Sequence, residues 1–174
     1  MYRRKTSIAP PKELPISHTN NPLWDIVRTI PGNELDWKWD HVWSPDWTAT
    51  RLAGKEWIDR KDLCGEYTWA IPDPDSLNFV TEWLSPKAIE IGGGTGYWAW
   101  QLSQLGVDIL CYDLYPPHLT GQNGYHSPRN ENKDKLMGEV RKIFYDVRAG
   151  NEKMAAKHPD RVLFLCWPPF RANE

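Results

Sequence analysis

The sequence predicts an α/β fold built around a mostly parallel sheet. Short apolar runs that are typical of buried strands alternate with segments whose apolar residues recur at helical spacing. The clearest unit is 87–113, in which a strand, a glycine-rich turn, a helix and a second strand follow one another. This order is typical of a right-handed crossover between two parallel strands.

Each element has its own local signal. A helix is expected at 73–84, because Asp73 is a suitable N-cap, Pro74 suits the first turn and Ser85-Pro86 ends the segment. The patterns further along the chain predict a strand at Lys87–Ile91, a helix at 95–105 and a strand at 107–112. Beyond a loop at 114–130, they predict a charged helix at 131–142, a strand at 143–147, a helix at 151–157 and a strand at 161–166.

The chain divides into three regions. Residues 1–22 contain four prolines among polar residues and are expected to form a flexible arm. Residues 23–84 form a tryptophan-rich region with the lead-in helix, and 85–174 form the α/β domain. Seven of the eleven tryptophans precede Ile71. They either let a loop-rich segment bury enough area to fold or form an aromatic wall over a ligand or partner.

Composition excludes few functions. The formal charge of −2 provides no basic field, so nucleic acid is neither supported nor excluded as a substrate. Cys64, Cys111 and Cys166 lack CxxC spacing and are interpreted as reduced thiols of a cytoplasmic protein. No apolar run approaches the roughly 20 residues that span a bilayer, so a membrane location is not expected.

A nucleotide-type signature occurs where the first predicted sheet strand ends. Glu90 is followed by Gly92, Gly94 and Gly96, and the next strand ends in Asp113. Glycines let the chain turn sharply and bring its backbone close to a ligand, and a strand-end acid can accept both ribose hydroxyls of an adenosine-type ligand.

Spacing alone does not decide which nucleotide is bound. In the dinucleotide pattern G-x-G-x-x-G, the third glycine would fall at Tyr97 or, in a relaxed form, at Ala99. Glu90 argues against a pyrophosphate, because a carboxylate repels phosphate, whereas it suits a ligand with a cationic amino-acid end.

The pattern E-x-G-x-G-x-G followed by a strand-end acid resembles the first two motifs of class I S-adenosylmethionine-dependent methyltransferases. The resemblance implies a Rossmann-like sheet, S-adenosylmethionine as cofactor, and Glu90, Gly92, Gly94, Gly96 and Asp113 as the residues that bind it. It leaves the methyl acceptor open between a small molecule and a nucleobase.

A second resemblance covers roughly residues 60–170. It is to a methyltransferase-like family of bacteria, phages and some eukaryotes whose substrate is not defined. The motifs that carry it are Glu66-Tyr-Thr-Trp69-Ala-Ile-Pro72, Gly94-Thr-Gly-Tyr-Trp-Ala-Trp100, Tyr112-Asp113, Pro116-Pro117, Asn123-Gly-Tyr-His126, His158-Pro-Asp-Arg161 and Leu165-Cys-Trp-Pro-Pro169.

Candidates for the chemistry follow the last predicted strand. Trp167, Pro168, Pro169 and Phe170 resemble the motif of amino-methyltransferases that act on adenine or cytosine, in which an acidic, Asn or Ser residue precedes Pro-Pro-aromatic. Trp167 and Pro168 are thus placed as catalytic candidates, and Phe170 as a residue that stacks on a planar substrate. The likeness is partial, because Trp167 offers an N–H donor and no acceptor.

His126 is the candidate general base, since its ordinary pKa of about 6.5 suits it to take a proton from an acceptor. The alternative is a loop histidine that orders its own segment. Asn123 and Tyr125 share the loop and are substrate-binding candidates, as are Tyr67 and Trp69, which either contact the ligands or pack on a helix. No histidines stand at metal-ligand spacing, so no metal site is expected.

Only four of the seven strands of a complete class I methyltransferase sheet can be counted, so the sheet is expected to be truncated after the fourth strand. Residues 162–166 would then form an apolar edge that a second copy, a partner chain or the tryptophan-rich region covers. Two functions therefore stay open: a methyltransferase, or a shortened and non-catalytic methyltransferase-like binding or assembly protein.

Overall fold

The computed structural model describes residues 19–28, 50–51, 57–58, 60–119, 123–126 and 142–166. The elements in chain order are α1 (Pro22–Val27), β1 (Thr50–Arg51), β2 (Trp57–Ile58), α2 (Arg60–Glu66), α3 (Pro74–Leu84), β3 (Lys87–Ile91), α4 (Tyr97–Gln104), β4 (Asp108–Asp113), β5 (Val147–Ala149), α5 (Lys153–Lys157) and β6 (Val162–Phe164). The predicted α/β class is confirmed for these residues.

Four strands form one parallel sheet in the order β5-β4-β3-β6. The chain starts at β3, moves outward through β4 to β5, and then returns to the other side of β3 as β6. Glu90 of β3 lies between Cys111 of β4 and Phe164 of β6 in the register. This arrangement is compatible with a Rossmann-like sheet, in which the order reverses at the first strand. The short strands β1 and β2 form a separate antiparallel pair.

The predicted helix boundaries depend on local chemistry that the structure bears out. The carboxylate of Asp73 accepts hydrogen bonds from the backbone N–H groups of Asp75 and Ser76, at 3.0 and 3.1 Å, and α3 begins at Pro74. Helix α4 begins directly after Gly96, whose φ of 76° places it in the left-handed region. Helix α5 covers the last five residues of the predicted 151–157.

The prediction of a strand at 143–147 is wrong except for its last residue. Pairing with β4 starts at Val147, which lies beside Cys111. The residues before it cross beneath the glycine turn instead: the N–H of Phe144 donates to the carbonyl of Thr95 at 2.9 Å, and Tyr145 lies against Gly96. Their apolar side chains pack on the helices rather than extend the sheet.

The core lies between the sheet and helices α3 and α4. Buried residues of both helices and of three strands share one cluster: Leu77, Leu84, Ala88, Trp98, Ala99, Leu102, Val107, Ile109, Cys111 and Val147. Helix α1 is attached on the far side of α4 through Tyr97, which is fully buried. Its hydroxyl accepts the N–H of Leu23 at 3.0 Å and donates to Asn21 at 2.9 Å.

Strand β6 is an edge of the described sheet, since β3 is the one described strand paired with it. Val162, Leu163 and Leu165 are each about half exposed. Arg161 attaches this strand to its neighbours by donating to the carbonyl of Asp108 at 2.6 Å and to that of Ala88 at 3.2 Å. That another chain covers the edge stays a prediction.

Several predicted features lie outside the described residues: the arm up to residue 18, most of the tryptophan-rich region, nearly all of the helix at 131–142, and everything beyond Cys166. In the part of the chain that is described, every helix is too short or too polar to cross a bilayer.

Candidate functional site

A cavity of about 120 Å³ opens at the carboxyl edge of the sheet, above β3 and its two neighbours. The strand order reverses at β3, and ligands of open parallel sheets bind in the crevice at such a point. The residues that line the cavity are Thr68, Trp69, Glu90, Gly92, Gly93, Gly94, Trp98, Asp113, Asn123, Tyr125, His126 and Cys166. Most of the predicted cofactor and substrate residues are therefore brought together.

Gly92, Gly93 and Gly94 of the turn between β3 and α4 line the cavity, whereas Gly96, also predicted to bind the cofactor, lies against Val147 and Tyr145. Gly92, Gly94 and Gly96 have φ angles of 82°, 55° and 76°, a region in which residues with a Cβ are strained. The N–H groups of Gly92 and Gly93 both donate to the carbonyl of Tyr112, at 2.8 and 3.0 Å. A Cβ on Gly92 would meet open space, so its backbone is accessible to a ligand.

Asp113 is fixed against this turn. One carboxylate oxygen accepts the N–H of Gly94 at 2.9 Å, and the other accepts the N–H of Tyr115 at 2.8 Å. A carboxylate oxygen has two lone pairs, so each can accept a further hydrogen bond from a ligand. The side chain therefore combines a fixed orientation with remaining capacity to accept hydroxyl groups.

Glu90 is buried in the wall of the cavity and is 2% exposed. Burial raises the pKa of its carboxyl from 4.5 to about 8, although hydrogen bonds from the Cys111 thiol and the Ala99 backbone lower it. The thiol sulfur lies 3.5 Å from the carboxyl oxygen. Burial thus favours the protonated acid, whereas the sequence interpretation was of a carboxylate.

His126 closes the cavity on the side facing Gly94. Its ring is buried, Nδ1 lies 3.2 Å from the carbonyl oxygen of Gly65, and a Cβ on Gly94 would lie 2.4 Å from Nε2. A carbonyl only accepts, so Nδ1 is the nitrogen that can donate to it, and Nε2 faces Gly94. The ring therefore connects its loop to Gly65 of α2, rather than bonding its own backbone, and places its second nitrogen beside the glycine turn.

Asn123 holds the turn that carries His126. Its amide oxygen accepts the N–H groups of Tyr125 and His126, each at 3.1 Å, and its amide nitrogen donates to the carbonyl of Tyr115 at 2.9 Å. Both ends of this buried side chain are engaged within the protein. Asn123 therefore lies in the cavity wall and holds the turn in position.

Two aromatic residues predicted to bind substrate meet at the cavity. The rings of Trp69 and Tyr125 are nearly perpendicular, with centroids 5.8 Å apart, and Tyr125 is 52% exposed. The indole N–H of Trp69 is buried without a hydrogen-bond partner among the described residues. Tyr67 lies elsewhere: its ring packs on Tyr97 and Phe144, and the structure does not place it in the cavity wall.

Sequence reasoning missed four residues of the cavity wall: Thr68, Gly93, Trp98 and Cys166. The position of Cys166 could have been inferred, because it follows the last strand and the carboxyl ends of parallel strands meet at one edge of a sheet. Burial and the nearby Glu90 raise the pKa of its thiol to about 12. Trp167, Pro168 and Phe170, which come next, lie outside the described residues.

The described lining contains two acids and no lysine or arginine. It therefore offers a phosphate group, including the pyrophosphate of a dinucleotide, no cationic side chain to pair with. Among the described residues, no three histidine, cysteine, aspartate or glutamate side chains are placed to hold a metal ion.

Comparison with known proteins returned no matching family model, no matching curated protein and no matching solved structure.

Proposed function

We propose that this chain is an S-adenosylmethionine-dependent methyltransferase that binds its cofactor in the cavity at the carboxyl edge of the sheet. The observation that carries the proposal is the hydrogen bond from Gly94 to Asp113. It brings the strand-end acid and the glycine turn to one site, where a nucleoside ligand would contact both.

The residues present fit this cofactor. The open backbone at Gly92 would approach the ligand, Asp113 would accept the ribose hydroxyls, and Glu90 would face the amino-acid end. The described lining holds no lysine or arginine to pair with a pyrophosphate, which favours S-adenosylmethionine over a dinucleotide. When bound, this cofactor supplies an electrophilic methyl group on a sulfonium.

His126 would act as the general base for the acceptor. Nε2 would take the proton that an acceptor nitrogen or oxygen loses when it is methylated. Trp69 and Tyr125 would hold the acceptor beside this nitrogen, with Trp167, Pro168 and Phe170 as further candidates from the next segment. Tyr67, which packs outside the cavity, is no longer proposed as a substrate residue.

Calorimetric titration with S-adenosylmethionine, S-adenosylhomocysteine and NAD tests the proposed cofactor. We expect the first two to bind and NAD not to bind. Asp113→Ala should weaken binding at least tenfold, whereas Asp146→Ala, which removes an exposed acid paired with Arg148 outside the cavity, should not. Thermal melting shows whether both variants fold. If neither S-adenosylmethionine nor S-adenosylhomocysteine bound to the folded wild-type protein, the proposal would be refuted.

A second candidate function, a non-catalytic methyltransferase-like binding or assembly protein, is favoured by the exposed apolar strand β6. Transfer of a labelled methyl group to DNA, RNA, protein and small-molecule fractions separates the two candidates. Cofactor binding with no transfer to any fraction would favour the assembly protein, and labelling of one fraction would identify the acceptor class.

A further inference from the structure

Glu90 has neighbours on every side, and none of those described is a cation. The titratable and charged groups that face it are Cys111 and Asp113 of β4, Cys166 after β6, and His126 across the cavity. Helix α4 contributes the backbone N–H of Ala99 and no charged group. An isolated carboxylate in such a place is costly, so the empty site favours the neutral acid.

The geometry leaves room for a cation to change this state. Glu90 lies in the cavity wall next to the glycine turn, on the strand between β4 and β6. An ammonium group that entered there would stabilise the carboxylate by charge and by direct N–H donation, which the Cys111 thiol at 3.5 Å does only weakly.

We propose that Glu90 is protonated in the empty site and releases its proton when the ligand's α-ammonium group lies against it, so that binding releases one proton and selects ligands that carry an amino-acid end. This inference rests on the proposed cofactor. The acidic hydrogen of the Glu90 carboxyl passes to solvent, and the ammonium group keeps its own hydrogens and donates one to the carboxylate.

The inference makes affinity depend on pH in one direction. Below a pKa of about 8 the empty site holds the proton, so each unit of fall in pH should weaken binding about tenfold. The ligand's own α-amino group stays protonated from about pH 5.5 to 7, so this range isolates Glu90 from the ligand. Comparison with Glu90→Gln isolates it from the other groups that face it, His126 among them.

Proton release is measured by titrating S-adenosylhomocysteine into the protein at one pH in buffers of different ionisation enthalpy. The slope of observed enthalpy against buffer enthalpy counts the protons. We expect a release close to one for wild type and Asp146→Asn, and close to zero for Glu90→Gln. The nucleoside 5′-deoxy-5′-methylthioadenosine, which lacks the amino-acid end, should bind with no release.

Binding of S-adenosylhomocysteine without proton release, or with release that persists in Glu90→Gln, would overturn the inference and leave the proposed cofactor standing. Binding of neither nucleoside would overturn both. If Glu90→Gln does not fold, difference infrared spectroscopy of the wild type tests whether a carboxyl group loses its proton on binding. A protonated-carboxyl band should disappear when S-adenosylhomocysteine is added, and its persistence would refute the inference.

Discussion

The imidazole of His126 lies directly against the backbone of Gly94, so that a Cβ added to the glycine would come within 2.4 Å of Nε2. The same glycine donates its N–H to Asp113 at 2.9 Å. Three residues from separate segments thus meet at one peptide unit. The cavity volume of about 120 Å³ is below the roughly 300–1,000 Å³ of typical ligand pockets. A bound nucleoside would therefore extend beyond this cavity.

Gly94→Ala should destabilise the protein and weaken ligand binding. The φ of 55° is in the left-handed region, which costs a residue with a Cβ about 1–2 kcal/mol, and the methyl group would displace the His126 ring. Urea unfolding and titration with S-adenosylhomocysteine measure the two effects. Adding His126→Ala removes the collision and should restore part of the lost stability. Strictly additive effects of the two substitutions would show that the contact is unimportant.

Glu90→Gln should stabilise the protein at alkaline pH. Below pH 4.5 both the folded and unfolded states hold the proton of Glu90. Between 4.5 and about 8 only the folded state holds it, so wild type loses about 1.4 kcal/mol per pH unit relative to the variant. Thermal melting of both proteins from pH 4 to 9 gives the comparison. The variant's advantage should be largest above pH 8, and an advantage independent of pH would contradict the assignment.

Asn123→Ala should loosen the turn that carries His126. Two N–H groups, those of Tyr125 and His126, lose their shared acceptor, so their hydrogen exchange should accelerate at least tenfold. Global stability should fall by about 1–3 kcal/mol, since the carbonyl of Tyr115 also loses a donor. Asn151→Ala is the control: it removes a comparable hydrogen bond, from the N–H of Lys153 to the Asn151 side chain. It should leave hydrogen exchange at the N–H groups of Tyr125 and His126 unchanged.

Tyr97→Phe should lower stability and leave ligand affinity unchanged. Its buried hydroxyl bonds Leu23 and Asn21, and the loss leaves both groups short of a partner at a cost of about 1–3 kcal/mol. Tyr97 faces helix α1 rather than the cavity. Urea unfolding and calorimetric titration measure the two quantities, with Tyr115→Phe at an exposed site as control. Weakened binding with unchanged stability would contradict this placement.

Much of the sheet could be predicted because its signals are local. The pair of strands β3 and β4, the cap at Asp73 and the turn after Glu90 each depend on residues within a few positions of one another. The prediction of a strand at 143–147 also depended on a local signal, and it was wrong. The apolar pattern fits a strand, but those residues pack against helix α4 and the glycine turn instead of pairing with β4.

The sequence by itself determined that a strand, a glycine turn and a strand-end acid succeed one another, because left-handed backbone angles and strand periodicity are properties of short segments. Only the tertiary structure decided that Trp69, His126 and Cys166 share a cavity with Asp113, that Tyr67 packs outside it, and that burial raises the pKa of Glu90. Which residues come together in one cavity depends on how segments distant in the sequence pack. The pKa of a buried acid depends on whether that packing leaves water or a cation beside it.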